Sequence, residues 1–284
     1  MTFNEARTVL TKELKNVYDN DELKNIIDLV IEHITNMPRM DQVKNKASYL
    51  TCEQLEDIDA ITERLKLNEP VQYILGEAWF AGLKFKVNKN VLIPRPETEE
   101  LVHWIVNEAT SHELRAASIL DVGTGSGCIP ITIKKKLPGS TVTAIDVCSE
   151  ALFTATENAI AHNAEIDFVL LDFLDEQKWN ELGQFDNIVS NPPYVTQSEI
   201  RTMHGRVTAF EPTLALFVPD NDPLLFYKKL ADFSLKHLNP KGNLFVEINE
   251  TSGDAVVNLF RVFTNVELRK DMQGKDRMIK AQIN

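Results

Sequence analysis

Asn191-Pro192-Pro193-Tyr194 holds the residues best suited to chemistry in this 284-residue chain. They follow an apolar run, Phe185-Asp186-Asn187-Ile188-Val189-Ser190, that reads as a buried strand. Two consecutive prolines have no N–H to give a sheet ladder. The chain therefore leaves the sheet at Asn191 with its carbonyls unpaired and its side chain at the strand's carboxyl end, where ligands of open α/β sheets bind. An Asn amide oxygen, a stiff run of free carbonyls and an aromatic face form a grip for an NH2 group. The chemistry implied is alkylation of a planar nitrogen, with Asn191, Pro192, Pro193 and Tyr194 as the catalytic set.

A second signal is Ile119-Leu120-Asp121-Val122-Gly123-Thr124-Gly125-Ser126-Gly127-Cys128. An apolar run enters a glycine-rich turn, and Ile129, Ile131 and Ile133 with Lys134, Lys135 and Lys136 predict a helix after it. Glycine lets a ligand approach the main chain, and a helix start presents free N–H groups. The spacing is G-x-G-x-G, one residue shorter than the dinucleotide fingerprint, which favours a nucleoside ligand without a pyrophosphate. Gly123, Thr124, Gly125, Ser126 and Gly127 are the expected cradle.

Residues 141–146 read as the next strand, ending in Asp146, whose carboxylate can accept both hydroxyls of a ribose. A third strand over 166–171 ends in Asp172-Phe173, where a carboxylate could take an adenine amino group and a ring could pack on the base. With Asn191, these positions put the ends of several strands at one ligand.

On these residues the chain resembles the class I methyltransferases that use S-adenosylmethionine, and within them the release-factor glutamine methyltransferase family. The closer likeness rests on Pro70-Val71-Gln72-Tyr73-Ile74-Leu75-Gly76, Val91-Leu92-Ile93-Pro94-Arg95-Pro96-Glu97-Thr98-Glu99 and Val189-Ser190 before Asn191. It extends to Glu247-Ile248 after Lys241-Gly242, and to Gly274-Lys275-Asp276-Arg277. It runs from about residue 66 to the C-terminus, with a weak helical likeness before that. One departure is Pro130, where the family usually has a small residue; proline is tolerated in a first helical turn. The resemblance implies methylation of the glutamine side-chain amide in the Gly-Gly-Gln loop of peptide chain release factors. It implies S-adenosylmethionine as cofactor, S-adenosylhomocysteine as product and release factors as protein partners. The fold it implies is α/β: a Rossmann-like, doubly wound, seven-stranded sheet with an antiparallel last strand.

Composition bounds the alternatives. Net charge is −12, from 30 basic against 42 acidic residues, and non-specific DNA binding needs phosphates neutralised by Lys and Arg. This weighs against the main rival, a nucleic-acid (adenine) amino methyltransferase sharing the Asn-Pro-Pro-Tyr element, and no direct nucleic-acid binding is expected. Lys134, Lys135 and Lys136 form the basic run, and late in a helix they suit its dipole. Cys52, Cys128 and Cys148 show neither zinc nor disulfide spacing and the histidines show no ligand spacing, so no metal is expected. No apolar run approaches membrane-spanning length, and Glu5 and Glu13 with only Arg7 do not suit a transit peptide. A cytoplasmic protein is the expectation. A third reading is a non-enzymatic module that binds the nucleoside and docks a partner.

The chain divides into an N-terminal helical domain with linker, residues 1–76, and a methyltransferase domain, residues 77–284. Thr2 with Glu5, and Thr51 with Gln54, have capping-box spacing. Leu23, Ile26, Ile27, Val30, Ile31 and Ile34 make one helical stripe for a small bundle core. The resemblance implies that this domain recognises the substrate. A hairpin linker is predicted over 80–93, turning at Asn88-Lys89-Asn90, before a catalytic core over 97–284. There, helices over 151–162, 224–238 and 255–260 alternate with strands, predicting a parallel sheet. The last strands, 266–270 and 278–282, are joined too briefly for a helical crossover and should be antiparallel. His204, ten residues after Tyr194, reads as a surface histidine in preference to a general base.

Overall fold

Two compact units form, Met1–Glu77 and Ala78–Asn284. The computed structural model describes residues 1–45, 47–111, 116–202 and 205–284. In the first unit the helices are α1 (Phe3–Leu14), α2 (Asn20–Thr35), α3 (Arg39–Lys44), α4 (Cys52–Lys66) and α5 (Val71–Leu75). Both predicted capping boxes form: the Thr2 hydroxyl accepts from the Glu5 N–H while Glu5 takes the Thr2 N–H, and Thr51 and Gln54 repeat the exchange. Asp19 caps α2 by accepting from the N–H groups of Asp21 and Glu22. The α2 stripe is buried from Leu23 to Ile31 against Leu10, Leu14 and Leu65, with Ile34 partly covered at its end. Asp28 on the flank of α2 pairs with Arg7 at 2.6 Å and Arg39 at 2.9 Å.

The next elements differ from expectation. Strands β1 (Glu77–Phe80) and β2 (Leu83–Lys86) pair, turning at Ala81 and Gly82 instead of Asn88-Lys89-Asn90. Both turn residues have positive φ, 49° and 78°, the backbone of a type I′ hairpin turn. Asn88 is occupied elsewhere: its Oδ1 accepts from the Asn90 N–H, and its Nδ2 donates to Thr154 Oγ1 at 2.9 Å. The 87–93 stretch is thus a pinned loop and not a strand.

Beyond it run α6 (Pro96–Ser111), β3 (Ser118–Val122), α7 (Cys128–Lys136), β4 (Thr141–Asp146), α8 (Ser149–Ala161), β5 (Asp167–Leu170) and β6 (Phe185–Ser190). An insertion follows, with β7 (Val195–Thr196), α9 (Gly205–Phe210), α10 (Thr213–Leu216) and β8 (Phe217–Val218). The chain closes with α11 (Leu225–His237), β9 (Leu238–Glu247), α12 (Gly253–Leu259), β10 (Asn265–Lys270) and β11 (Asp276–Gln282). The seven-stranded sheet has the order β10-β11-β9-β6-β3-β4-β5. The five strands from β9 to β5 are parallel, and β11 lies antiparallel between β9 and β10.

Period-two alternation divides the strands between two cores. Ile119, Val142, Val189 and Phe245 pack with Leu101, Ile105 and Ile131 of α6 and α7. Their neighbours Leu120, Ile145, Ile188 and Leu244 pack with Tyr227, Phe233 and Val256 of α11 and α12. Helices therefore cover both faces, and only the strand ends remain for function. The register sets those ends abreast: Val122 faces Ile145 and Ser190, and Ser190 faces Val246. No helix among the described residues is long and apolar enough to cross a membrane.

Candidate active site

A cavity of about 340 Å³ opens along these carboxyl ends, a size suited to a small-molecule ligand. Its wall takes Gly123 and Gly125 from the loop after β3, Asp146 after β4, Asp172 and Phe173 after β5, and Asn191, Pro192 and Pro193 after β6. Strand ends widely separated in the sequence thus meet at one space.

The glycines divide the work. A side chain built on Gly123 or Gly125 would point into open space, and their φ values of 78° and 54° disfavour one. The loop therefore offers bare backbone to the cavity. At Gly127 the same Cβ would meet Ile131 Cδ1 at 3.0 Å and Ala155 Cβ at 3.1 Å, so this glycine serves helix packing. Thr124 and Ser126 are buried, and they, like Gly127, lie outside the cavity wall.

Asp146 is oriented by backbone. Its Oδ2 accepts the Gly125 N–H at 2.8 Å and its Oδ1 the Cys148 N–H at 2.9 Å, which leaves further lone pairs on both oxygens. Burial raises its carboxyl pKa, opposed by those donors. Asp172 uses Oδ1 for the Leu174 N–H at 3.0 Å. Phe173 reaches the wall, but its ring belongs to the core, stacked on Trp179 with centroids 5.5 Å apart. Asp121, directly before the glycine loop, is fully buried, and neither carboxylate oxygen has a hydrogen-bond partner among the described residues. Burial pushes its carboxyl up to about 7, helped by the charge of Asp146 and opposed by the nearby Thr124 hydroxyl.

The Asn191 side is built from side chains. Its Nδ2 donates to Thr98 Oγ1 at 3.1 Å, and the Thr98 hydroxyl donates to Glu247 Oε2 at 2.6 Å. Glu247 Oε1 accepts from the Tyr194 hydroxyl at 3.2 Å. Glu247 ends β9 and is 1% exposed. Burial pushes its carboxyl up to about 7, with Thr98, Arg277 and Tyr194 pulling it down and Glu97 pushing it further up. Burial likewise raises the Tyr194 phenol, which packs behind the cavity wall against the core.

Thr98 and Glu247 carried no assigned role in the sequence, although both lie in the resembling segments. The sequence signal for Glu247 is a charged residue closing the apolar run Leu244-Phe245-Val246, the same kind of strand-end acid as Asp146 and Asp172. The wall also takes Leu92 from the 87–93 loop and Leu214 from α10, an apolar rim the sequence pattern did not mark. Arg95 holds the segment before α10 through Glu211, which it meets at 2.6 Å. His204 lies outside the described residues. No group of three or more His, Cys, Asp or Glu among the described residues could hold a metal ion.

The family models matching this chain are those of the PrmC N-terminal domain, over residues 5–76, and the Methyltransferase small domain, over residues 101–208. A Release factor glutamine methyltransferase from Flavobacterium psychrophilum is 43% identical, with 99% of each chain covered. The chain belongs to the release factor glutamine methyltransferase family. A second member, from Bacteroides thetaiotaomicron, is 38% identical over 98% of this chain and 99% of its own length. Among solved structures, the hMettl16 catalytic domain in complex with MAT2A 3'UTR hairpin 6 shares the fold. Its TM-score is 0.55 at 17% identity, covering 72% of this chain and 76% of that one.

Family membership gives the geometry its context. The glycine loop and the Asn191 segment both fall inside the matched methyltransferase region. Thr98 and Glu247, which hold Asn191 and Tyr194, fall outside it on either side.

Proposed function

We propose that this protein transfers a methyl group from S-adenosylmethionine to the side-chain amide nitrogen of the glutamine in the Gly-Gly-Gln loop of peptide chain release factors. The observation that carries the reading is the shared cavity wall: an amide-gripping corner, Asn191 to Pro193, stands beside a bare glycine cradle and two strand-end carboxylates. The residues suit the cofactor. Gly123 and Gly125 leave room that any side chain would take, Asp146 has lone pairs for ribose hydroxyls, and Asp172 has an oxygen for an adenine amino group. Asp121 lies behind this wall, fully buried, and is not among the residues facing the ligand space. When bound, the cofactor supplies a methyl carbon made electrophilic by its sulfonium.

An amide nitrogen is a weak nucleophile because its lone pair spreads into the carbonyl. Orientation is therefore the main task, and in favourable cases it removes up to roughly 7–11 kcal/mol of a barrier. Asn191 Oδ1 and the Pro192 carbonyl take no hydrogen bond among the described residues, and in this reading they accept the two amide hydrogens of the acceptor. Both bonds strengthen as the nitrogen becomes positive, so they favour the transition state over the ground state. Pro193 stiffens the corner, and Tyr194, tied by its hydroxyl to Glu247 behind the cavity wall, anchors the end of the run. No base is needed at the nitrogen, since an N-alkylated protonated amide is strongly acidic and sheds its proton to water. The helical unit, Met1–Glu77, is assigned the recognition of the protein partner.

The test incubates the pure protein with labelled S-adenosylmethionine and a release factor, either wild type or with the loop glutamine changed to alanine, and with DNA and RNA in parallel. Label is expected only on the wild-type factor. Label on the alanine variant or on nucleic acid would overturn the reading.

A further inference from the structure

We propose that Thr98 and Glu247 are positioning residues that decide which end of the Asn191 carboxamide faces the acceptor. The inference rests on the methyl-transfer reading above and concerns how its amide grip is held in one orientation. A carboxamide is nearly symmetric in shape, and turning it over exchanges an acceptor oxygen for a donor NH2 at almost no steric cost. Turned the wrong way, Asn191 would set its NH2 against the acceptor's own NH2, with donor facing donor. Something must break the symmetry.

A single hydrogen does so. The Thr98 hydroxyl has one proton, and at 2.6 Å that proton goes to Glu247 Oε2. An ionised carboxylate can only accept, so Thr98 has lone pairs alone to offer Asn191. Only the NH2 end of Asn191 fits them, as the 3.1 Å contact from Nδ2 records. Oδ1 is left for the acceptor. The other oxygen of Glu247 takes the Tyr194 hydroxyl proton, so one buried carboxylate fixes both polar members of the Asn-Pro-Pro-Tyr run.

The surroundings hold Glu247 still and tune its charge. The Tyr227 hydroxyl of α11 donates to its backbone oxygen at 3.1 Å. Arg277 of β11 lends positive charge, itself paired with Asp271 at 3.2 Å and Glu250 at 3.5 Å. Glu97 in the first turn of α6 opposes it. Burial outweighs the favourable partners and leaves the carboxyl titrating at about 7. A proton there lets Glu247 donate to Thr98. The Thr98 hydrogen is then free to turn toward Asn191, and the donor order of the chain reverses. Turnover should be full above this pH and fall as pH drops through about 7.

The experiment measures kcat and KM for a release factor, cofactor affinity by calorimetry and melting temperature on the full chain. Thr98→Val keeps the shape and removes the hydroxyl, and kcat is expected to fall by roughly tenfold or more with cofactor affinity and KM little changed. Thr98→Ser restores the hydroxyl and should recover kcat to within about threefold of wild type. The wild-type kcat should show an acid limb that Glu247→Gln flattens, a readout independent of how well Thr98→Val folds. Near-normal kcat in Thr98→Val, equal losses in the valine and serine variants, or a wild-type kcat flat between pH 6 and 8 would each overturn the assignment. A wild-type protein that binds cofactor and methylates no Gly-Gly-Gln glutamine would instead remove the activity on which the inference rests.

Discussion

The two halves of the cavity are built by opposite means. The glycine-loop half is made of backbone: Gly123 and Gly125 present bare main chain, and Asp146 is aimed by N–H groups from Gly125 and Cys148, at most 21 positions away. The Asn191 half is made of side chains drawn from far along the chain, with Thr98 lying 93 positions before Asn191 and Glu247 53 positions after Tyr194. A backbone cradle tolerates substitution of side chains but not a change of glycine. A side-chain relay fails when any link loses its hydrogen bond. Binding and orientation should therefore come apart under mutation.

The largest separation is expected at Asn191. Asn191→Ala should cut turnover by about 10²–10³-fold, as loss of a transition-state contact does, while cofactor affinity by calorimetry moves far less. Equal losses in both would merge the two halves. Asp146→Ala should do the converse, weakening cofactor binding by about 10–100-fold through lost charge-assisted hydrogen bonds, with a smaller effect on kcat at saturating cofactor.

These contrasts follow what the sequence made visible. The glycine loop and strand-end acids are local patterns, and an element defined within about ten residues can be read from spacing alone. The antiparallel pair β10 and β11 was legible because too few residues join them for a helix. Asn191 was legible because two prolines force the strand to stop. Glu247 was legible only as one more acid closing a strand, and its link to Thr98 was not legible at all, since a hydrogen bond between distant segments leaves no periodic trace. The hairpin went astray for a related reason: Asn88-Lys89-Asn90 has turn composition, but Asn88 is bound to Thr154 on α8, and Ala81-Gly82 adopts the turn. Phe173 shows the same limit, its ring being claimed by Trp179 and Phe233 in the core.

Smaller effects sharpen the comparison through pH. Folding raises the carboxyl pKa values of Asp121 and Glu247 from their ordinary 3.8 and 4.5 to about 7. Across that window the folded chain holds protons the unfolded chain has shed, so stability falls as pH rises and levels off above about 7. Asp121→Asn should lessen that decline and raise the melting temperature at pH 8 by a few degrees (on the order of 1 kcal/mol). Thr51→Ala, which removes a helix cap in the first unit, should cost about 1 kcal/mol of that unit's stability in a thermal melt and leave cofactor affinity unchanged.

The most direct measurement is a crystal structure of the protein with S-adenosylhomocysteine and a release factor bound. The loop glutamine is expected with its NH2 within hydrogen-bond distance of Asn191 Oδ1 and the Pro192 carbonyl, and with Asn191 Nδ2 still on Thr98. An acceptor amide held by other residues, or an Asn191 carboxamide turned with its NH2 toward the acceptor, would contradict the account.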